Sequence, residues 1–188
     1  MVTNIVIVGV GGQGTLLASR IIGNVTTMEG YDVKVSEVHG MSQRGGSVIT
    51  YVRFGDKVNS PIITEGNADI VLAFENLEAL RGSAFVKEGG KIIVNTQEIA
   101  PMPVICGTAE YPSEIIEKIS KNHEVIAVDA LKAAEECGNA KAANVVLIGV
   151  LAKHSSIAKE KWIESLRNTV PPKFLELNLK AFEMGYGM

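Results

Sequence analysis

The sequence predicts one three-layer α/β/α domain over residues 1–188, with a mostly parallel sheet and an antiparallel edge. Three observations carry this. Short apolar, β-branched runs alternate with helical stretches, as in strands joined by crossover helices. The first run, Ile5-Val6-Ile7-Val8, is unbroken, as a strand buried on both faces requires. Gly and Pro breaks fall between segments, with no repeat or long linker to divide the chain.

The elements follow in order. From Gly14 to Met28, apolar residues at Leu16, Leu17, Ile21, Ile22, Val25 and Met28 have helical spacing, and Gly30 ends the helix. Val33–Glu37 reads as a second strand, and Ser47–Phe54, rich in Val, Ile, Thr and Tyr, as a third. Ile70–Phe74 is a buried strand. Asn76 is placed to cap a helix reaching about Val86, and Gly89-Gly90 is expected to stop it before Lys91–Asn95 returns as strand. Thr96–Pro103 reads as loop, and Pro112-Ser113 opens a helix through Lys121. Val125–Val128 is a strand, and Asp129 caps a helix ending near Gly138. Ala142–Lys153 is apolar enough to lie against the sheet, and the tail from Lys159 to Met184 forms two polar helices divided by Pro171-Pro172.

Composition sets limits on function. Hydrophobic residues make up 46% and aromatics only 5%, so the core is aliphatic. A net charge of −3 gives no electrostatic reason to expect nucleic-acid binding. No apolar run approaches the ~20 residues that cross a bilayer. No signal peptide precedes the first strand, so the expected location is cytoplasmic. Cys106 and Cys137 form no C-x-x-C pair and are expected to be reduced, buried and inert. His39, His123 and His154 show no metal-ligand spacing. Trp162 reads as packing on one face of a terminal helix or as an interface anchor, and Tyr51 and Arg53 as surface or interface residues.

Two glycine-rich turns carry the functional signal. The first, Gly9-Val10-Gly11-Gly12-Gln13-Gly14, lies between a strand and a helix and fits the G-x-G-x-x-G pattern of a Rossmann-like nucleotide fold. Such a turn lets the backbone approach an anion at a helix N-terminus. The plainer reading is a tight turn with close helix packing, which accounts for Gly9 and Gly14 but leaves Gly12-Gln13 without a purpose. A dinucleotide enzyme also needs an acid ~20 residues on, at the end of the second strand. Glu37 is the candidate, but a second glycine turn follows it at once, and then a strand instead of a crossover helix. A free-standing NAD(P)-binding protein is therefore the alternative reading, not the first.

The second turn, Gly40-Met41-Ser42-Gln43-Arg44-Gly45-Gly46, offers Ser42, Gln43 and Arg44 as donors. A guanidinium beside paired glycines suits an anion or carboxylate clamp; the plainer reading is a solvated surface loop. If the strands before the two turns are parallel, both turns open at the carboxyl end of the sheet, where ligands of α/β folds dock. Glu37, His39 and Arg44 are the only clustered functional side chains, and none is assigned a catalytic role.

At these residues the chain resembles the gamma-type subunit or domain of 2-oxoacid:ferredoxin oxidoreductases. The run Glu37-Val38-His39-Gly40-Met41-Ser42-Gln43-Arg44-Gly45-Gly46 looks most like the smaller, beta subunit of the indolepyruvate branch. Later pieces agree: Ser60-Pro61, Ala68-Asp69, Gly138-Asn139 with Asn144, Leu147-Ile148-Gly149, and Asn178, Ala181-Phe182 and Gly185-Tyr186. The resemblance covers essentially the whole chain. It implies decarboxylation of an aryl 2-oxoacid on thiamine diphosphate, electron transfer through iron–sulfur clusters to ferredoxin, and capture of the acyl group by coenzyme A. It also implies that the thiamine and the clusters belong to a larger partner subunit. The sequence agrees, since Gly55-Asp56 is followed by Lys57 and no thiamine or cluster motif is present. On this reading the chain is inactive alone. Gly11, Gly12, Gln13 and Gly14, with Ser42, Gln43, Arg44, Gly45 and Gly46, are then expected at the shared interface, holding coenzyme A phosphates or shaping the 2-oxoacid channel. No membrane or nucleic-acid partner is implied, and a homodimer of the lone subunit is a further expectation.

Overall fold

The structure is a computed structural model that describes residues 2–40 and 45–188. Six strands form one sheet in the order β2-β3-β1-β4-β5-β6. They are β1 (Val2–Val10), β2 (Asp32–His39), β3 (Ser47–Gly55), β4 (Ala68–Ala73), β5 (Val86–Asn95) and β6 (Glu124–Val128). β1, β4, β5 and β6 pair in parallel, while β3 pairs antiparallel with both β1 and β2. The antiparallel part is thus the β2–β3 hairpin at one edge of the sheet.

Eight helices accompany the sheet among the described residues: α1 (Thr15–Met28), α2 (Asn76–Gly82), α3 (Met102–Ile105), α4 (Ile115–Ser120), α5 (Ala130–Glu136), α6 (Ala143–Lys153), α7 (Lys159–Thr169) and α8 (Pro172–Gly187). Alternation along β1 divides the core. Ile5 and Ile7 point into a large cluster with α1, α5, α6, α7 and α8, while Val6 and Val8 point into a smaller one with α2 and α4. A strand apolar on both faces thus becomes the middle of a three-layer domain, as its unbroken apolar run predicts. The heavier layer is locked by α6 against α8. A Cβ on Gly149 would stand 2.2 Å from the Phe182 carbonyl, and one on Gly185 1.9 Å from that of Val146, so only glycine permits this approach. No described helix is long and apolar enough to cross a membrane.

Several local expectations need correction. Gly89-Gly90 does not end a helix but lies within β5, where the register against β4 shifts between Ala68 and Ile70. A Cβ on Gly90 would be 2.9 Å from the Ala68 carbonyl, so the pair makes room for an irregular ladder. The cap of α2 is Glu75, not Asn76: its side chain accepts from Glu78 N. Part of the expected loop 96–103 winds into α3. Cys137 is buried as expected, but Cys106 is exposed; both are free thiols. Asp129 does cap α5, accepting from Lys132 N at 3.0 Å. Trp162 is fully buried and donates to Ser155 Oγ at 3.2 Å, so it packs the core and is not an interface anchor.

Candidate functional site

β1 and β2 both run antiparallel to β3, so they point the same way and their glycine turns emerge at one end of the sheet. The turns are tied together by backbone. Gly11 N donates to Gly46 O at 2.8 Å, and Gly45 N donates to Gly11 O at 3.3 Å. Gly11, at the head of the run Gly11, Gly12, Gln13 and Gly14, is thus tied to Gly45 and Gly46. Ser42, Gln43 and Arg44, named above as donors, lie outside the described residues.

The first turn delivers an open helix end. Gly14 immediately precedes α1 with φ +88°, and no side chain caps the helix and no acid stands in its first turn. Its first N–H groups are therefore available to an outside acceptor. Gly12 also has a positive φ, +104°. Gln13 turns out to have a structural purpose. Its Oε1 accepts from Val10 N at 2.8 Å and its Nε2 donates to Phe74 O at 3.0 Å, so the amide bridges the ends of β1 and β4. Asn95 Nδ2 reaches the same Phe74 carbonyl at 3.1 Å, while its Oδ1 accepts from Ala130 N at 3.1 Å. The turn does therefore use an amide here, contrary to the sequence reading: it splices neighbouring strand ends where the ladder stops.

A hollow lies on each side of this turn. One, of about 410 Å³, is lined by Gly11, Gly12, Thr15, Leu16, Glu37 and His39. The other, of about 480 Å³, has Gln13, Phe74, Gln97, Lys141, Asn144 and Leu147 in its wall. Glu37 Oε2 accepts from Thr50 Oγ1 at 3.4 Å, and His39 Nδ1 lies 3.0 Å from Gly40 O. The first hollow therefore carries a carboxylate, whereas among the described residues no carboxylate lines the second.

Two buried acids stand at the start of α2, and one of them, Glu78, holds the first residue of β3. Ser47 Oγ donates to Glu78 Oε2 at 2.6 Å, and Arg81 meets the other oxygen of Glu78 at 2.5 Å. Glu75 accepts from Tyr111 Oη at 2.5 Å, Ile99 N at 2.9 Å and Glu78 N at 2.8 Å. Burial, then this hydrogen bond to a carboxylate, pushes the Tyr111 phenol well above its ordinary pKa. Glu75, Glu78 and Tyr111 escaped sequence reasoning, because surface acids on a short helix look the same in a sequence. Asn144 escaped as a site residue too. Besides its place among the pieces that carry the resemblance, its visible signal is a polar residue in the first turn of a mostly apolar helix. Tyr51 packs edge-on against Phe85, and Arg53 pins Asn4 Oδ1 and the carbonyls of Ser60 and Ile62.

No nucleophile with an adjacent base appears in these contacts. What they bring together is two tied glycine turns, an uncapped helix start and two flanking hollows. Residues 4–188 match the family described as pyruvate ferredoxin/flavodoxin oxidoreductase. The chain belongs to this family. It is 48% identical to indolepyruvate oxidoreductase subunit IorB of Pyrococcus horikoshii over 97% of this chain and 93% of that protein. It is 32% identical to the pyruvate/ketoisovalerate oxidoreductases common subunit gamma of Thermococcus litoralis, over 92% of this chain and 89% of that one. Among solved structures, the gamma subunit of a keto/oxoacid ferredoxin oxidoreductase from Geobacter sulfurreducens superposes with a TM-score of 0.74 at 27% identity, over 98% of this chain and 96% of that one. Family membership makes the chain a subunit of a 2-oxoacid ferredoxin oxidoreductase, of the IorB type. The NAD(P) reading is not favoured, and the topology gives a reason. In a dinucleotide fold the acid-bearing strand lies beside the first strand. Here β3 is inserted between them, which moves Glu37 one strand spacing, about 4.8 Å, further from the turn.

Proposed function

We propose that the chain is the subunit without resident cofactors of an aryl 2-oxoacid (indolepyruvate) ferredoxin oxidoreductase in the cytoplasm. The larger partner subunit carries thiamine diphosphate and iron–sulfur clusters and passes electrons to ferredoxin. The two glycine turns face that partner and help receive coenzyme A. One observation carries the reading: full-length similarity to proteins named indolepyruvate oxidoreductase subunit IorB, at 46–48% identity for the Thermococcus kodakarensis and P. horikoshii proteins. The chemistry of the turns supports it. The uncapped start of α1 suits a phosphate, and Arg44, within the loop bounded by Gly40 and Gly45, suits the same charge. Separated from its partner, the chain pairs with itself through the surface left bare.

The test is an anaerobic pull-down with tagged chain, followed by dye reduction driven by 2-oxoacids. A stoichiometric cysteine-rich partner and coenzyme A-dependent turnover of aryl pyruvates are expected. Arg44→Ala in the assembled enzyme should raise the apparent constants for coenzyme A or the oxoacid. A lone chain that retains NAD(H) would overturn the proposal.

A further inference from the structure

A third hollow, of about 220 Å³, lies between the sheet and α1, α6 and α7, at the opposite end of β1 from the glycine turns. Ile5, in its wall, stands five residues before Val10, about 17 Å along the strand. Its floor is apolar and buried, built from Ile5, Ile22, Leu151 and Trp162. Two further rings, Tyr31 and Phe54, stand in its wall with centroids 5.6 Å apart. Close-packed interiors leave few voids larger than one water. A dry cavity of roughly 150 Å³ already takes benzene, so this one has room for a substituted ring.

The polar groups of the hollow divide by depth. Thr26 and Ser155 are spent within the protein. Thr26 Oγ1 donates to Ile22 O at 2.7 Å, and Ser155 Oγ donates to Ala152 O at 2.9 Å while accepting from Trp162 Nε1 at 3.2 Å. At the exposed rim, the His154 imidazole has no hydrogen-bond partner among the described residues. Partial burial, then the charges of Lys91 and Lys153, lower its pKa against the pull of Glu124. At pH 7 the ring therefore keeps one nitrogen as a free acceptor.

We infer that this hollow is a binding site for a small uncharged aromatic molecule with one hydroxyl, its ring held among Tyr31, Phe54 and Trp162 and its hydroxyl donating to the His154 imidazole. Aromatic walls favour a ring through edge-on and offset contacts beyond the area buried. The apolar floor rejects a charge, which would be desolvated there without a partner. The idle acceptor at the rim fixes which end of the molecule faces outward. The site is separate from the glycine turns in place and in chemistry, and it stands whether or not coenzyme A reaches this chain.

The experiment titrates the ¹⁵N-labelled full chain with p-cresol and with p-xylene, its near-isostere without the hydroxyl. Trp162 is the only tryptophan of the chain, so its indole N–H reports on the hollow without ambiguity. Both probes should shift that signal saturably, together with the backbone amides of Ile5, Ile22 and Leu151, and leave Gly12 and Gly14 in place. His154→Ala should weaken p-cresol about tenfold, the worth of one hydrogen bond. The same variant should bind p-xylene as the parent does, which shows that the hollow is intact. Binding of p-xylene alone would make the hollow a dry void and overturn the inference. Equal p-cresol affinity in His154→Ala, shifts centred on the glycine turns, or no saturable binding would overturn it as well.

Discussion

Gly12 and Gly14 have similar backbone conformations and very different surroundings, so alanine at each separates strain from collision. Both have φ in the left-handed region, +104° and +88°, where an L residue costs about 1–2 kcal/mol. Stiffening of the unfolded chain returns about 0.4–1 kcal/mol. A Cβ on Gly12 meets nothing within 4 Å, so Gly12→Ala should cost about 1 kcal/mol. A Cβ on Gly14 falls 2.3 Å from Asn144 Nδ2, so the amide must retreat by roughly 1 Å to reach ordinary contact. Asn144 is buried and has little room to move, so overpacking adds about 1–3 kcal/mol. Gly14→Ala should therefore cost about 2–4 kcal/mol in urea unfolding with an unchanged m value. Asn144→Ala should be nearly neutral alone, because Oδ1 has no partner to lose. In the Gly14→Ala/Asn144→Ala double variant the collision disappears, giving a favourable coupling of about 1–3 kcal/mol. If Gly14→Ala costs no more than Gly12→Ala, or if the cycle closes without coupling, the reasoning about this contact is wrong.

Further outcomes follow from the same contacts. Gly185→Ala improves helix propensity by about 1 kcal/mol yet drives a Cβ to 1.9 Å from the Val146 carbonyl; net destabilisation is expected, and a higher midpoint in urea would refute it. Gln13→Leu leaves Val10 N without the Gln13 acceptor and Phe74 O with Asn95 Nδ2 in place of two donors, and should cost about 1–2 kcal/mol, read in the same assay. Tyr111 has a raised folded pKa, so its stabilisation is complete below its unfolded value near 10 and is lost as pH rises beyond it. Tyr111→Phe should therefore show a shallower loss of stability above pH ~10 than the parent protein. His154 has a folded pKa below 6.5, through burial and then the charges of Lys91 and Lys153. Its contribution holds above pH ~6.5 and fades as pH falls; His154→Gln should flatten that acidic slope.

Much of the architecture was legible because strongly patterned segments leave little choice. Ile5–Val8 has no polar face, and Leu16 to Met28 has one, so a central strand and a covering helix follow from burial alone. The insertion of β3 between β2 and β1 was not legible, because strand order depends on which edges remain free after the hairpin forms. Gly89-Gly90 misled because two glycines look the same whether they end a helix or ease an irregular ladder. At the site, the glycine turns announced themselves. Asn144 did not, since its meaning lies in an unmet acceptor beside a residue far away in sequence. Gln13 showed the reverse: an amide that looked ligand-directed is spent on two backbone groups.

The two strands that lead into the glycine turns differ in kind. β1 has neighbours on both sides and buried side chains on both faces, so its amides should exchange with deuterium only when the whole molecule unfolds. β2 has one neighbour and several exposed residues, so its outward amides should exchange by local opening. β1, with its Gly11–Gly46 tie to the start of β3, is thus as persistent as the protein itself, while β2 can open at the sheet edge and return. The end of the sheet where the two turns emerge is therefore fixed at its centre and yielding at its edge.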